Sequence, residues 1–347
     1  MSHLRGYGIG RPRLVERVPR ELVHKDAAAE VLLTGWTSHG GDRHTVRARW
    51  PRFHDFYRPR NRRFDPLLLV ETVRQTFPLL SHVAYGVPFG SHLVWDRFHF
   101  EVQPRALLVP RSGADVLLEI TCSDVRMRKG CLVSMTMHAT VRLNGRRVGA
   151  ADTRFTNHSP AVYRRLRGRN DVGARPGWTV PPPPPLPPAT VGHARPGNVV
   201  LAATGSAGRW QLRTDQDHPI LFDHPVDHAP GMLLLEALRQ AAHAVHPAPG
   251  TTVTGMSVSF KGWVELDAPA WVSVTPLRRN ALCAVVEQDG RTCLSGEVVV
   301  GNEPADRTLG QPSPVLSGGW AVDAHLPGGR CWVVPHEAPV RVPERPR

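Results

Sequence analysis

Two segments of the chain carry one and the same helical signature: PLLLVETVRQT at Pro66–Thr76 and GMLLLEALRQA at Gly231–Ala241. In each, an apolar run leads into Glu-x-x-Arg-Gln, so that Glu71 matches Glu236, Arg74 matches Arg239 and Gln75 matches Gln240, 165 residues apart. A repeat of that length in a chain of 347 residues implies one plan used twice. On the second helix Glu236, Arg239, Gln240 and His243 form a single stripe at i, i+3, i+4 and i+7, and the remaining faces are Met, Leu and Ala. A surface helix would turn such a stripe to water, where a Glu–Arg pair contributes a few tenths of a kcal/mol. Here the apolar wrap is too wide for a surface helix. An enclosed helix would turn the charged pair into a cleft, where desolvation raises a carboxylate's pKa toward the range of a general base.

The surroundings repeat as well. An apolar β-like run precedes each helix, at residues 30–35 and 198–203, and alternating strands follow. Val133, Met135, Met137, Ala139, Val141 and Leu143 alternate with polar residues up to the hairpin pair Asn144-Gly145, and Asp289-Gly290 closes the matching hairpin in the second half. A sheet that wraps one buried helix is the economical way to bury this pattern. The expected fold is therefore α+β, a tandem (double) hot-dog in which each half is an antiparallel sheet around one long helix. The expected layout is an N-terminal extension (1–25), a first hot-dog domain (26–160), an Arg- and Pro-rich linker (161–196), a second domain (197–302) and an irregular, partly mobile tail (303–347). The halves would form a pseudo-dimer within one chain.

Charge separates the halves. Residues 1–175 hold 30 basic and 15 acidic side chains, and residues 176–347 hold 13 and 15. Arginine dominates, and the only lysines are Lys25, Lys129 and Lys261, a bias that reflects genome composition more than function. Such a field favours an anionic partner: nucleic acid, a phosphorylated small molecule or an acidic carrier protein. No helix-turn-helix, zinc-finger or RNP pattern is present, and aromatics do not interleave with the arginines, so nucleic acid is the poorer choice. No run of about 18 apolar residues suggests a membrane span. The five cysteines form no CxxC pair or disulfide framework, which points to the cytoplasm.

The loop before the second helix, FDHPVDHAPG, gathers Asp223, His224, Asp227 and His228 next to a helix start. Histidine shuttles protons near neutrality, and the free N–H groups of a first turn stabilise an oxyanion. No further spaced ligands follow, so no metal is expected. The corresponding loop of the first half carries His54 and the arginines Arg52, Arg58, Arg60, Arg62 and Arg63.

The segments Asp223–Ala242, Arg62–Gly90, Val31–Arg52 and Asn157–Arg169 resemble the A-factor synthase (AfsA-like) family, over roughly residues 25–300. Pro230, Gly231, Leu233, Glu236 and Ala237 are also similar to the β-hydroxyacyl-carrier-protein dehydratases, although the pre-helix segment is two residues shorter. The first resemblance implies an acyltransferase that moves a β-ketoacyl group from acyl carrier protein to dihydroxyacetone phosphate, toward a γ-butyrolactone-type signalling molecule. No cofactor is implied beyond the phosphopantetheine of the carrier protein. On that reading Glu71 is the general base, and Arg74 with Arg58, Arg60, Arg62 and Arg63 holds phosphate. Glu236 and Arg239 form the equivalent constellation, His54 approaches Glu236, and His224 or His228 approaches Glu71. Gln75 and Gln240 complete the binding set. Two alternatives stay open: a hot-dog dehydratase or thioesterase acting on acyl thioesters, and a nucleic-acid-binding regulator.

Overall fold

The computed structural model describes residues 17–168, 181–248, 250–302, 320–323 and 332–335. Most of the expected N-terminal extension, part of the linker and most of the tail, with its expected mobility, lie outside these residues. The first half contains β1 (Leu33–Ser38), β2 (Arg43–Trp50), α1 (Pro66–Val83), β3 (His92–Val102), β4 (Ala114–Arg128), β5 (Cys131–Leu143) and β6 (Arg146–His158). A short helix, α2 (Pro160–Arg167), follows. The second half contains β7 (Leu201–Ala203), β8 (Arg209–Leu212), α3 (Gly231–Val245), β9 (Thr251–Phe260), β10 (Trp271–Arg278), β11 (Ala281–Gln288) and β12 (Arg291–Asn302).

These twelve strands form one antiparallel sheet in the order β1-β2-β4-β5-β6-β3-β9-β12-β11-β10-β8-β7. Read from either edge the connectivity is the same, and the halves meet where β3 pairs with β9, Phe98 opposite Val258 and His99 opposite Ser257. This is the tandem hot-dog arrangement. The Asn144-Gly145 and Asp289-Gly290 turns all adopt positive φ (48° and 81°, 51° and 72°), as the tightest hairpins require. Much of the extra length of the first half sits in the β4–β5 hairpin, whose strands have 15 and 13 residues against 8 and 8 in β10 and β11.

Each helix is fixed by its flanks and by the sheet. The Asp65 carboxylate accepts from Leu67 N at 2.8 Å and Pro66 occupies the first turn, where its missing N–H leaves nothing unpaired. Every residue of α1 except Arg74, His82 and Val83 is buried, as is α3 from Met232 to Ala242. The trios are therefore enclosed, and the surface-ridge alternative fails. Gly231 lets α3 begin against the other half, because a Cβ there would stand 3.2 Å from the Trp95 ring.

Residues 161–167, expected as linker, are instead α2, with Ser159 as its N-cap and Pro160 in its first turn. The described part of the Pro-rich stretch is tied down: Arg213 Nε donates to Pro183 O at 2.6 Å, and Leu186 N to Leu201 O at 2.9 Å. Beyond residue 303, in a separate unit, β13 (Trp320–Asp323) pairs with β14 (Trp332–Pro335). No described helix is long and apolar enough to cross a membrane.

Candidate active site

The two glutamines do the same structural work in each half. Gln75 Oε1 accepts from Leu32 N (2.9 Å), while its Nε2 donates to Glu30 O (2.8 Å) and Glu71 Oε1 (2.9 Å). Gln240 Oε1 accepts from Val200 N (2.9 Å), and its Nε2 donates to Asn198 O (2.8 Å) and Glu236 Oε1 (2.7 Å). Each amide thus fastens the strand-entry backbone to its helix and orients the neighbouring carboxylate. Both are fully buried, and neither reaches the cavity described below, so the expected substrate-binding role gives way to a structural one.

Each arginine grips its glutamate with two donors. Arg74 reaches Glu71 at 2.8 Å through both Nε and Nη2, and Arg239 reaches Glu236 at 2.8 and 2.6 Å. A second nitrogen-bearing side chain completes each cluster. Lys25 Nζ lies 3.5 Å from Glu71 Oε1, and His193 Nε2 lies 2.7 Å from Glu236 Oε1. Lys25 and His193 are structural counterparts: each follows a 3₁₀ turn (Arg20–Val23, Pro188–Val191) closed by a left-handed residue, His24 (φ 52°) or Gly192 (φ 72°). The repeat thus begins ahead of residues 26 and 197, where the domains were expected to start.

Burial alone would raise the Glu71 pKa, but Arg74, Lys25 and the hydrogen bond from Gln75 outweigh it and bring it down to about 2. Glu236 is pulled down still further by Arg239 and His193 against the same burial. Both carboxylates are therefore held as anions near neutral pH. The expected upward shift toward a general base is absent, because desolvation acts on a fully paired group.

What separates the trios is space. A cavity of about 720 Å³ is lined by Glu71, Arg74, His24, Lys25 and Tyr57 of the first half and by Ile220, Leu221, residues 223–232, Leu234 and residues 260–264 of the second. Its apolar wall includes Phe77, Trp95, Leu221, Leu234, Phe260 and Val264. Glu236 is 1 % exposed and is not part of this lining. Phe56 packs against His193 (tilted) and His218 (edge-to-face) on that side, with ring centroids 5.4 and 5.1 Å apart. Tyr57 stands between the trios; burial pushes its phenol pKa up, and both glutamates add to the rise.

The loop before α3 crosses to the cavity beside the first trio, which His224 and His228 both line. Asp223 accepts from the backbone N–H groups of Asp26 (2.8 Å) and Ala27 (3.0 Å), tying this loop to the segment that carries Lys25. Asp227 lies 2.7 Å from His228 Nδ1 and also accepts from Tyr163 Oη (2.9 Å) and Arg167 Nε (2.9 Å) of α2. Arg167 in turn forms a two-pronged pair with Glu265 (2.8 and 2.7 Å) and lies 4.9 Å over the Trp263 ring. Tyr163, Arg167, Lys25 and His193 had not been singled out for these roles.

The remaining expected residues lie elsewhere. His54 accepts from Phe56 N (3.1 Å) and Tyr57 N (3.2 Å) and faces Glu30 (3.2 Å), so it shapes its own loop and does not meet Glu236. Arg58 and Arg62 are exposed, Arg63 is half-buried, and none of the three lines the cavity. Arg60 is exposed as a residue, but its guanidinium reaches over Gly192 toward the second trio, where partial desolvation and Arg239 lower its pKa. The arginine run therefore does not supply the positive charge beside Glu71, because its loop serves the opposite helix. Lys25 and Lys261 line the cavity instead. Among the described residues no group of three or more His, Cys, Asp or Glu is placed to hold a metal ion.

The sequence profile described as the A-factor biosynthesis hotdog domain matches residues 10–159 and 179–298. A 2-oxo-3-(phosphooxy)propyl 3-oxoalkanoate synthase of Streptomyces virginiae is 45 % identical over 265 residues, covering 76 % of this chain and 89 % of the relative. The Streptomyces griseus protein of the same name is 37 % identical over 264 residues, 75 % and 85 % of the two chains. Among solved structures, an acyl-ACP thioesterase from Bacteroides thetaiotaomicron matches with a TM-score of 0.46 and 11 % identity, over 76 % of this chain and 100 % of its own.

Proposed function

We infer that this chain, which belongs to the A-factor biosynthesis hotdog family, esterifies the free hydroxyl of dihydroxyacetone phosphate with a 3-oxoacyl group. The name of these relatives describes that product, a 2-oxo-3-(phosphooxy)propyl 3-oxoalkanoate. The donor is a thioester on the phosphopantetheine of acyl carrier protein. The observation that carries the reading is the cavity, whose apolar wall ends on the Glu71–Arg74–Lys25 cluster with two histidines from the opposite half facing it.

The acyl chain lies along Phe77, Trp95 and Phe260. Arg74 and Lys25, held in place by Glu71, orient the 3-oxoacyl head. The α3 N-terminus, with Gly231 and Met232 in the cavity wall, receives the oxyanion of the tetrahedral intermediate. Lys261, exposed at the cavity edge, takes the phosphate, which stays partly hydrated there. The halves act as the two subunits of a dimer would, each lending its pre-helix loop to the other's helix.

The test is mass spectrometry of the purified protein mixed with 3-oxoacyl carrier protein, with and without dihydroxyacetone phosphate. The phosphorylated ester is expected only when the acceptor is present. Free acid or a dehydrated acyl chain, formed whether or not the acceptor is there, would overturn the assignment in favour of a thioesterase or dehydratase.

A further inference from the structure

We propose that His228 is the group that takes the proton from the acceptor hydroxyl, and that Tyr163 and Arg167 of α2 are positioning residues that act on it through Asp227. The proposal rests on the acyl-transfer reading above. It begins with a negative: Glu71 already accepts from Arg74 and Gln75 and pairs with Lys25, so little basicity remains to it.

His228 is arranged differently. A carboxylate only accepts, so the 2.7 Å contact between Asp227 Oδ1 and His228 Nδ1 requires the proton on Nδ1, which leaves the Nε2 lone pair as the acceptor. The imidazole lines the cavity, and its side chain is 30 % exposed, open enough to receive a substrate hydroxyl. Asp227 cannot turn away. Its two oxygens each lie 2.9 Å from Tyr163 Oη, and Arg167 binds both its carboxylate and, at 3.0 Å, its backbone carbonyl. Arg167 is held by Glu265, and its side chain is 1 % exposed. Tyr163 is stacked flat on His92 of β3, with centroids 3.8 Å apart and an interplanar angle of 4°. Each oxygen of Asp227 thus has a fixed donor. A carboxylate fixed on Nδ1 orients the imidazole and stabilises the positive charge that forms on it as the proton is taken.

In the step itself, the hydroxyl oxygen attacks the thioester carbonyl carbon as His228 Nε2 removes its proton. The tetrahedral intermediate collapses, the C–S bond breaks, and the imidazolium returns the proton to the leaving thiolate. Ester and free pantetheine thiol result, and the histidine is again neutral.

The test follows thiol release and phosphorylated ester separately in His228→Gly, Asp227→Asn, Tyr163→Phe and Arg167→Lys proteins whose thermal transitions are intact. His228→Gly is expected to lose kcat by about a thousandfold and to regain part of it with added imidazole, which a purely structural histidine would not do. Asp227→Asn, which disturbs the tautomer, should lower kcat by about a thousandfold with KM within a few-fold of wild type. Tyr163→Phe and Arg167→Lys should lower kcat by about tenfold with the same split. Retention of kcat within threefold in His228→Gly, or a loss unmoved by imidazole, would overturn the proposal. Thiol release that needs His228 but yields no ester even in the wild type would instead sink the acceptor assignment and leave the base in place.

Discussion

The Glu71 and Glu236 trios have the same backbone frame and nearly the same bond lengths, yet one lines a cavity and the other does not. The difference traces to the side chain that joins each Glu–Arg pair, Lys25 or His193, and to the loop in front. At the first trio Lys25 stands back at 3.5 Å and the His224–His228 loop leaves room. At the second, His193 closes to 2.7 Å, and Phe56 packs its ring toward both His193 and His218. Duplication supplied two equivalent ionic clusters, and the side chains packed over them decided which one could face a substrate. The Glu-Arg-Gln motif is therefore first a device for seating a buried helix, and becomes part of a site only where space is left beside it.

The largest expected effect comes from neutralising each glutamate. Glu236→Gln leaves Arg239, only 3 % exposed, without its anion, and should destabilise the protein by about 3–5 kcal/mol while the folded fraction keeps its turnover. Glu71→Gln leaves Arg74 and Lys25 beside a cavity that can admit water, and should cost about 1–2 kcal/mol. Its kcat/KM should nevertheless fall by about a hundredfold, because the charged floor of the cavity is disturbed. Urea unfolding and ester formation, measured on both proteins, decide the matter. Equal stability losses, or a larger activity loss in Glu236→Gln, would erase the distinction between the trios.

Acid should expose what the halves share. Burial brings both His24 in the first half and His243 in the second down to about 3, so each stays neutral while folded. The unfolded chain takes up these protons near 6.5, so stability is complete above that value and falls as pH drops toward 3. The slope should approach about 1.4 kcal/mol per pH unit for each histidine. Glu71 and Glu236 add a second loss, because their contribution is complete above the model-peptide value of 4.5 and disappears as pH falls through their depressed folded values. Urea midpoints compared between about pH 7 and pH 5 should drop in the wild type and drop less in His24→Gln and in His243→Gln. A flat wild-type profile over that interval would refute the buried-neutral state of both histidines.

Much of this frame was legible in the chain itself. Period-two alternation located β5, Asn144-Gly145 and Asp289-Gly290 located the hairpins, and the repeated Glu-x-x-Arg-Gln located both helices. The enclosure of the trios followed from the width of the apolar wrap. The partners of those trios were harder to read, because they come from distant segments: His193 lies 43 residues before Glu236. One signal was available. Val23, Val31 and Leu33 recur as Val191, Val199 and Leu201 at an offset of 168, which aligns Lys25 with His193. Another was the scarcity of lysine, since two of the three lysines in the chain line the cavity. The arginines ahead of the first helix misled for a physical reason. Net charge says how strongly a segment attracts anions, but not which way its loop folds.

The smallest expected effect is a difference close to zero, and it probes the shared frame most directly. Gln75 and Gln240 make matching bonds, accepting from one backbone N–H and donating to one backbone carbonyl two residues earlier. Replacing either by Leu leaves a buried N–H and a buried carbonyl unpaired, each costing about 1–3 kcal/mol. The substrate is not involved in either case, so the stability losses of Gln75→Leu and Gln240→Leu should agree within about 0.5 kcal/mol, the scatter normal between independent sites. Turnover of the folded fraction should be affected more in Gln75→Leu, because only Glu71 borders the cavity. If Gln240→Leu were much less costly than Gln75→Leu, the second half would be held by other contacts, and the equivalence of the two frames would fail before any question of catalysis arose.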